Sequence, residues 1–141
     1  MSVERLIQEG KIHPFNATRD EVNKAIEIAQ RDLTLAEKVF DENLDWSFSI
    51  AYNAVLQTCR AYMFHQGYRP ASIEGHKAVF DFMKVAAEPS LKNIVSYFDR
   101  VRRKRHRTVY DEVGLITEKE TNELLQKARK FLSYTEKVIR E

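Results

Sequence analysis

An all-α fold is what this sequence predicts: an up-and-down bundle of four main helices plus short extra helices. Three observations lead there. Apolar residues recur every three to four positions over long stretches, the period that gathers them on one face of an α-helix. Turn-forming residues are scarce, with four glycines and three prolines among 141 residues. No stretch alternates apolar and polar residues between hairpin turns, and there is no internal repeat or low-complexity tract.

Val3, Leu6 and Ile7 mark a short first helix, which Gly10 and Pro14 separate from the next. Thr18 followed by Glu21 is a capping box, in which a hydroxyl and a carboxylate satisfy orphan N–H groups at a helix start. Behind it Val22, Ala25, Ile26, Ala29, Leu33, Ala36 and Phe40 keep helical spacing, so the chain is helical over 18–41. Asp45 is placed to cap a second long helix that ends near Gln66, where Gly67 supplies a stop and Pro70 follows. Trp46, Phe48, Tyr52, Tyr62 and Phe64 lie on a helix that is apolar almost all round. Such a helix belongs in the middle of a bundle, with its aromatic residues mostly in the core. A shorter helix is expected over 71–87, with Val79, Phe82, Met83 and Ala86 on one side. Pro89 and Ser90 open the next, which runs to Tyr110, and Gly114 breaks it. Thr117 with Glu120 is a second capping box, heading a last helix through Ile139 that carries Leu124, Leu125, Ala128, Phe131 and Leu132.

The composition fits one domain over 1–141: 43% hydrophobic and 31% charged residues make a globular chain, not a disordered one. No stretch approaches the ~20 apolar residues of a membrane span. The N-terminal segment has charges inside its apolar run, unlike a signal peptide. Cys59 is the single cysteine, which excludes an internal disulfide framework and a multi-cysteine zinc site and suits a reduced, cytoplasmic setting. His13, His65 and His76 do not combine with acids at metal-ligand spacing, so no metal or other cofactor is expected. His76 reads as a helix-packing or capping residue, and Cys59 as a buried, inert thiol.

Net charge is only +2, but its distribution is uneven. Six Lys/Arg residues and no acid lie between Arg100 and Arg107, while the rest of the chain carries 17 basic against 21 acidic residues. One concentrated basic patch on a slightly acidic body is either an electrostatic footprint for a phosphate-bearing partner or a solvated helix face. Helix geometry, with about 100° per residue, separates the basic residues. Leu91, Ile94, Val95, Phe98, Val101 and Val109 form the core-facing stripe, and Arg102 and Arg105 fall inside it. Arg100, Lys104 and Arg107 fall on the opposite face and need only water. A guanidinium on a core-facing stripe is costly unless it is paired or meets water. Asp99, Asp111 or Glu112 can supply the pairing, and a second subunit can supply the shielding. Either gives a preorganised cation suited to phosphate. His106 and Tyr110 are one turn apart on the flank of the stripe, with Arg103 nearby. His106 can exchange a proton near neutral pH, or it is a surface histidine among cations.

Two stretches, AYNAVLQTCRAYMFHQGYRPASIEGHKAVF over 51–80 and FDRVRRKRHRTVYDEVG over 98–114, resemble the HEPN family. The first resembles its aromatic-rich central helix, Gly-Tyr-x-Pro turn and following His-Lys-Ala segment. The second resembles its hallmark helix and exit. The resemblance extends from about Thr18 to the C-terminus. It implies a helical bundle that binds RNA or nucleotides, with motifs from two subunits meeting in a homodimer. It also implies a possible nucleotidyltransferase-family partner in a toxin–antitoxin pair. Active members carry an Arg-polar…His motif that cuts RNA without metal. Two registers compete for it. Arg105 with His106 leaves Tyr110 in the histidine's place; Arg100 with His106 puts about 120° between the two side chains. The first register is favoured. The resulting expectation is phosphate or RNA binding by Arg102, Arg103 and Arg105, with Arg105, His106 and Tyr110 as the set that would act if the chain is a ribonuclease. A third possibility is a helical scaffold whose basic helix only mediates dimerisation.

Overall fold

A computed structural model describes residues 1–72, 75–110 and 114–140, with the side chains of 108–110 outside the description. Among the described residues the architecture is all-α with one very small sheet. In chain order the elements are α1 (Val3–Gln8), β1 (Ile12–Pro14), α2 (Arg19–Val39), α3 (Leu44–Gln66), β2 (Tyr68–Pro70), α4 (His76–Ala86), a 3-10 turn (Pro89–Leu91), α5 (Lys92–Tyr110) and α6 (Glu118–Arg140).

The long helices start where the chain supplies acceptors for their unpaired N–H groups. Both halves of the capping box are made at Thr18: its hydroxyl accepts from Glu21 N, and the Glu21 carboxylate accepts from Thr18 N, each at 3.1 Å. Thr117 Oγ1 accepts from Glu120 N at 3.1 Å, and the Thr117 hydroxyl donates to the Glu120 carboxylate at 3.0 Å. At α3 the expected cap is corrected. Asn43, not Asp45, accepts from Trp46 N at 2.9 Å. Asp45 sits within the first turn and accepts from Gly114 N at 3.0 Å, tying the α5–α6 connection to the head of α3.

α3 packs against α2, α4, α5, α6 and β2. Its Phe48, Ala51, Tyr52, Val55, Leu56, Cys59, Tyr62 and Met63 are buried, the physical result of a helix apolar all round. Trp46 departs from the core assignment: at the first turn, beyond the reach of the neighbouring helices, it is 64% exposed. Two polar contacts clip α2 to α3. The Ser47 hydroxyl donates to the Ala36 carbonyl at 2.7 Å, and the Asn53 amide donates to the buried Asp32 carboxylate at 2.6 Å.

The sheet was not expected from the sequence. β1 and β2 pair antiparallel with Ile12 opposite Pro70, His13 opposite Arg69 and Pro14 opposite Tyr68. Flanking bonds from Ala71 N to Lys11 O and from Phe15 N to Gly67 O, at 3.0 and 2.8 Å, extend the clip. Each strand has three residues and a proline, tolerable because each has one free edge. Because β2 takes 68–70, α4 begins at His76 and not near Ala71. Gly67 makes the reversal possible: its φ is 95°, and its N–H bonds back to the Met63 and Phe64 carbonyls.

The left-handed cap at Gly67 carries a cost for any side chain, so Gly67→Ala should lower stability by about 1–2 kcal/mol in urea unfolding. Cys59 is fully buried, and burial pushes its thiol pKa up. In the native protein it should react with a disulfide reagent only as fast as the chain opens, whereas unfolded chain reacts at once.

Candidate phosphate-binding site at the α3–α4–α5 junction

The orientation of α5 follows from its apolar stripe. Leu91, Val95, Phe98 and Val101 are buried, and Phe98 meets Phe131 of α6 with ring centroids 5.3 Å apart. This rotation also buries Asp99, one position after Phe98, to 5% exposure. A lone carboxylate at that depth would be expensive. Three cations meet it: Lys84 Nζ of α4 donates at 2.6 Å, Arg102 Nε at 2.8 Å and Arg103 Nη1 at 3.4 Å. Burial alone would raise the Asp99 pKa. Hydrogen bonds and charge from Lys84 and Arg102 outweigh it, and the carboxyl stays below the usual carboxylate range.

Arg102 thus has the acidic partner expected of it, through Nε; its side chain is 22% exposed. Asp111 and Glu112, the other proposed partners, lie outside the described residues. Arg105, one turn on, is held differently. Its guanidinium carbon lies over the Tyr52 ring, 5.4 Å from the centroid. Its Nε is buried and has no hydrogen-bond partner among the described residues. Tyr52 is 1% exposed, and its hydroxyl is in hydrogen-bond contact with His76 Nδ1 at 3.0 Å. Burial raises the Tyr52 phenol pKa, partly offset by the nearby charges of Arg105 and Arg102. The phenol therefore stays protonated and offers a hydroxyl, not a second anion, beneath the arginine. Phe80 packs against Tyr52, ring centroids 6.3 Å apart.

The remaining basic residues sort by their partners. Arg103 and Arg107 are exposed, as is His106. Arg100 is exposed and lies over the Tyr97 ring at 6.0 Å, on another side of α5 from Arg105. Lys104 corrects the expectation of a purely solvated face. It is half-buried and ion-paired with Glu120 of α6. Burial raises the Glu120 pKa, but the Lys104 hydrogen bond overrides it and the carboxyl is held below its ordinary value. The side chain of Tyr110 lies outside the described residues, so its place in the expected catalytic set has no geometry. Among the described residues no group of His, Cys, Asp or Glu is placed to hold a metal ion. No described helix is long and apolar enough to cross a membrane.

Sequence reasoning missed Tyr52, His76 and Lys84. His76 was assigned to packing or capping. It is the first residue of α4, Gly75 occupies the cap, and its ring faces Tyr52. A signal existed: His76, Phe80 and Lys84 recur every four residues, one face of α4. Finding them required knowing that this face meets α5.

The Asp99 cluster has a definite pH signature. A carboxyl whose folded pKa is depressed adds stability that is complete above its unfolded value of about 3.9 and fades as pH falls through the lower folded value. Asp99→Asn should therefore lower stability at pH 7 by about 1–3 kcal/mol. It should also flatten the acid limb of the stability curve below pH about 4, read by thermal melts across pH.

Comparison with characterised proteins and with solved structures gives no match. A family model described as the HEPN domain matches residues 22–138, from the first turns of α2 nearly to the end of α6, and so takes in α3, α4, α5 and the whole junction between them. By that match, and by an all-helical fold that agrees with it, the chain belongs to the HEPN domain family.

Proposed function

We propose that the chain binds RNA or nucleotide phosphates through Arg102, Arg103 and Arg105, as a homodimer that works with a nucleotidyltransferase-like partner. The observation that carries this reading is Arg105. Its guanidinium is half-buried against Tyr52 with a buried Nε that lacks a hydrogen-bond acceptor among the described residues. A buried donor without an acceptor costs free energy that an incoming phosphate oxygen recovers. A planar guanidinium fixed on a ring is ready for bidentate binding without further loss of side-chain freedom. Arg102, braced by Asp99, adds a second positioned cation one turn away. Membership of the HEPN family supports the choice of RNA or nucleotide as the phosphate bearer. A second subunit apposing the same helix would double the cationic surface.

One observation favours a second reading, a metal-independent endoribonuclease. Tyr52 joins two of the groups such chemistry needs: its ring lies under Arg105 and its hydroxyl is in hydrogen-bond contact with His76. RNA cleavage by its own 2′-hydroxyl needs a proton taken from that hydroxyl, a proton given to the departing 5′-oxygen, and stabilisation of charge on the phosphoryl oxygens. An imidazole and an arginine that share Tyr52 would supply both kinds of help, the imidazole from α4 instead of the α5 position that Tyr110 occupies. His106 is the alternative proton carrier on α5 itself.

Binding of a short RNA should weaken steeply with salt. Arg102→Ala and Arg105→Ala should each cost about tenfold in affinity and reduce the salt slope by about one. RNA binding indifferent to both substitutions overturns the reading and leaves only a dimerisation scaffold. Incubation of a structured RNA with the protein in EDTA tests the enzymatic reading. Cleavage lost in His76→Ala assigns proton transfer to α4, cleavage lost in His106→Ala assigns it to α5, and no cleavage at high protein concentration leaves binding alone.

A further inference from the structure

The β1–β2 clip builds a second cationic feature, on other elements than the α5 cluster. Phe15, just past β1, meets Phe64 of α3 edge to face with ring centroids 5.3 Å apart. Each ring carries an arginine on its face: Arg69 of β2 lies 5.9 Å from the Phe15 centroid, and Arg60 of α3 lies 5.8 Å from that of Phe64. Between them opens a cleft of about 260 Å3, which Ser72 also lines.

Both arginines are half-buried. Burial lowers the Arg60 pKa. The contrast with Asp99, where one buried carboxylate gathers three cations, is complete. Among the described residues no acid lines this cleft and neither arginine has an ion pair. Arg69 spends one Nη1 donor on the Pro70 carbonyl at 3.2 Å. Arg60 makes no hydrogen bond among the described residues. Both side chains line the cleft, and each guanidinium lies over a ring instead of against a carboxylate. The support is stiff, because paired strands fix Arg69 relative to Phe15 and the α3 backbone fixes Arg60 relative to Phe64.

We infer that this cleft is a binding site for a terminal phosphate monoester, held between the Arg60 and Arg69 guanidinium groups. Two cations without a counter-ion among the described residues match a phosphate dianion in charge, and two planar donors match it in geometry. The volume falls below the roughly 300–1,000 Å3 that encloses a drug-sized ligand. The cleft therefore takes the phosphate end and leaves the rest of the ligand outside. Two sources present that chemistry: a free nucleoside 5′-monophosphate and the 5′-phosphate end of an RNA. The site is separate from the Arg105 pocket and does not depend on it.

The test uses the full chain and two probes. In the first arm AMP is titrated into 15N-labelled protein at low salt. The Nε–H resonances of Arg60 and Arg69 and the amides of Phe15 and Phe64 should shift, while those of Arg102 and Arg105 move less. In the second arm, a short oligoribonucleotide with a 5′-phosphate should bind at least fivefold more tightly than the same oligonucleotide with a 5′-hydroxyl. That preference should vanish in Arg60→Gln/Arg69→Gln and survive in Arg105→Ala. Shifts with AMP but no 5′-phosphate preference assign the site to free nucleotides; the preference assigns it to RNA ends. If the glutamine pair alters the thermal melt, Arg60→Lys/Arg69→Lys keeps the charges, removes the planar forks and should still weaken AMP binding severalfold. The inference is overturned if AMP shifts none of the four residues and the 5′-phosphate makes no difference, or if the substitutions leave both probes unaffected. A tenfold weaker RNA binding in Arg105→Ala with the 5′-phosphate preference intact would separate the two sites.

Discussion

The buried carboxylate of Asp99 is the interaction on which the basic helix depends. It follows Phe98, and with Phe98 packed against Phe131 it is left nearly buried. Without partners it would have to be protonated or the helix would have to rotate. With Lys84, Arg102 and Arg103 around it, the rotation of α5 and its contact with α4 become one decision. That decision places Arg105 over Tyr52, and Tyr52 places His76. A surface ion pair would not carry such weight, since exposed pairs contribute little. Here the anion lies in a low-dielectric position while the cations reach outward, so removing the anion harms more than removing any single cation.

The second support is α3. Being apolar on all sides, it has neighbours all round, and three of them deliver a polar group to its surface: Asp32 from α2, His76 from α4, Arg105 from α5. A central helix that were wholly aliphatic would have no hydroxyl for His76 and no ring for Arg105. Tyr52 answers both needs because its body is apolar and its tip is polar. The protonated state imposed by burial matters as much as its shape. A phenolate there would neutralise Arg105 and cancel the attraction for phosphate.

The fold was legible in the sequence to a large degree, because helical periodicity and capping boxes are local signals. The Thr18–Glu21 box and the Gly67 stop are written in adjacent residues. The rotation of α5 was legible too, since the spacing of Val95, Phe98 and Val101 states which way the helix faces. What could not be read is whatever depends on contacts between distant segments. Asn43 and Asp45 both have the chemistry of a cap, and only the path of the chain gives the role to Asn43 and gives Asp45 to Gly114. The two three-residue strands are too short for alternation to register, and their prolines argue against strands in a single-sequence reading. Lys104 lies opposite the core stripe of its own helix, but α6 brings Glu120 up to that face. The partnership of Tyr52, His76 and Arg105 joins three helices, so no window of sequence contains it.

Charge density along the chain is consequently a poor guide to which arginines can bind an anion. The run from Arg100 to Arg107 draws the eye, but its members are not equivalent. Arg102 and Arg103 share Asp99, Lys104 is matched by Glu120, and Arg100 and Arg107 stand in water that already solvates them. Arg105 differs because it is half-buried and a ring, not a carboxylate, holds it; Arg100 also lies over a ring, that of Tyr97, but is exposed. By the same criterion Arg60 and Arg69, isolated in sequence and absent from any basic run, rank with Arg105: each is half-buried, each rests on an aromatic face, and neither is ion-paired among the described residues. A guanidinium neutralised by a neighbour has little left to offer, and one fully hydrated must shed water before it binds. A guanidinium stacked on a ring has already lost part of its water and kept its charge, so an arriving phosphate meets the smallest opposing cost there.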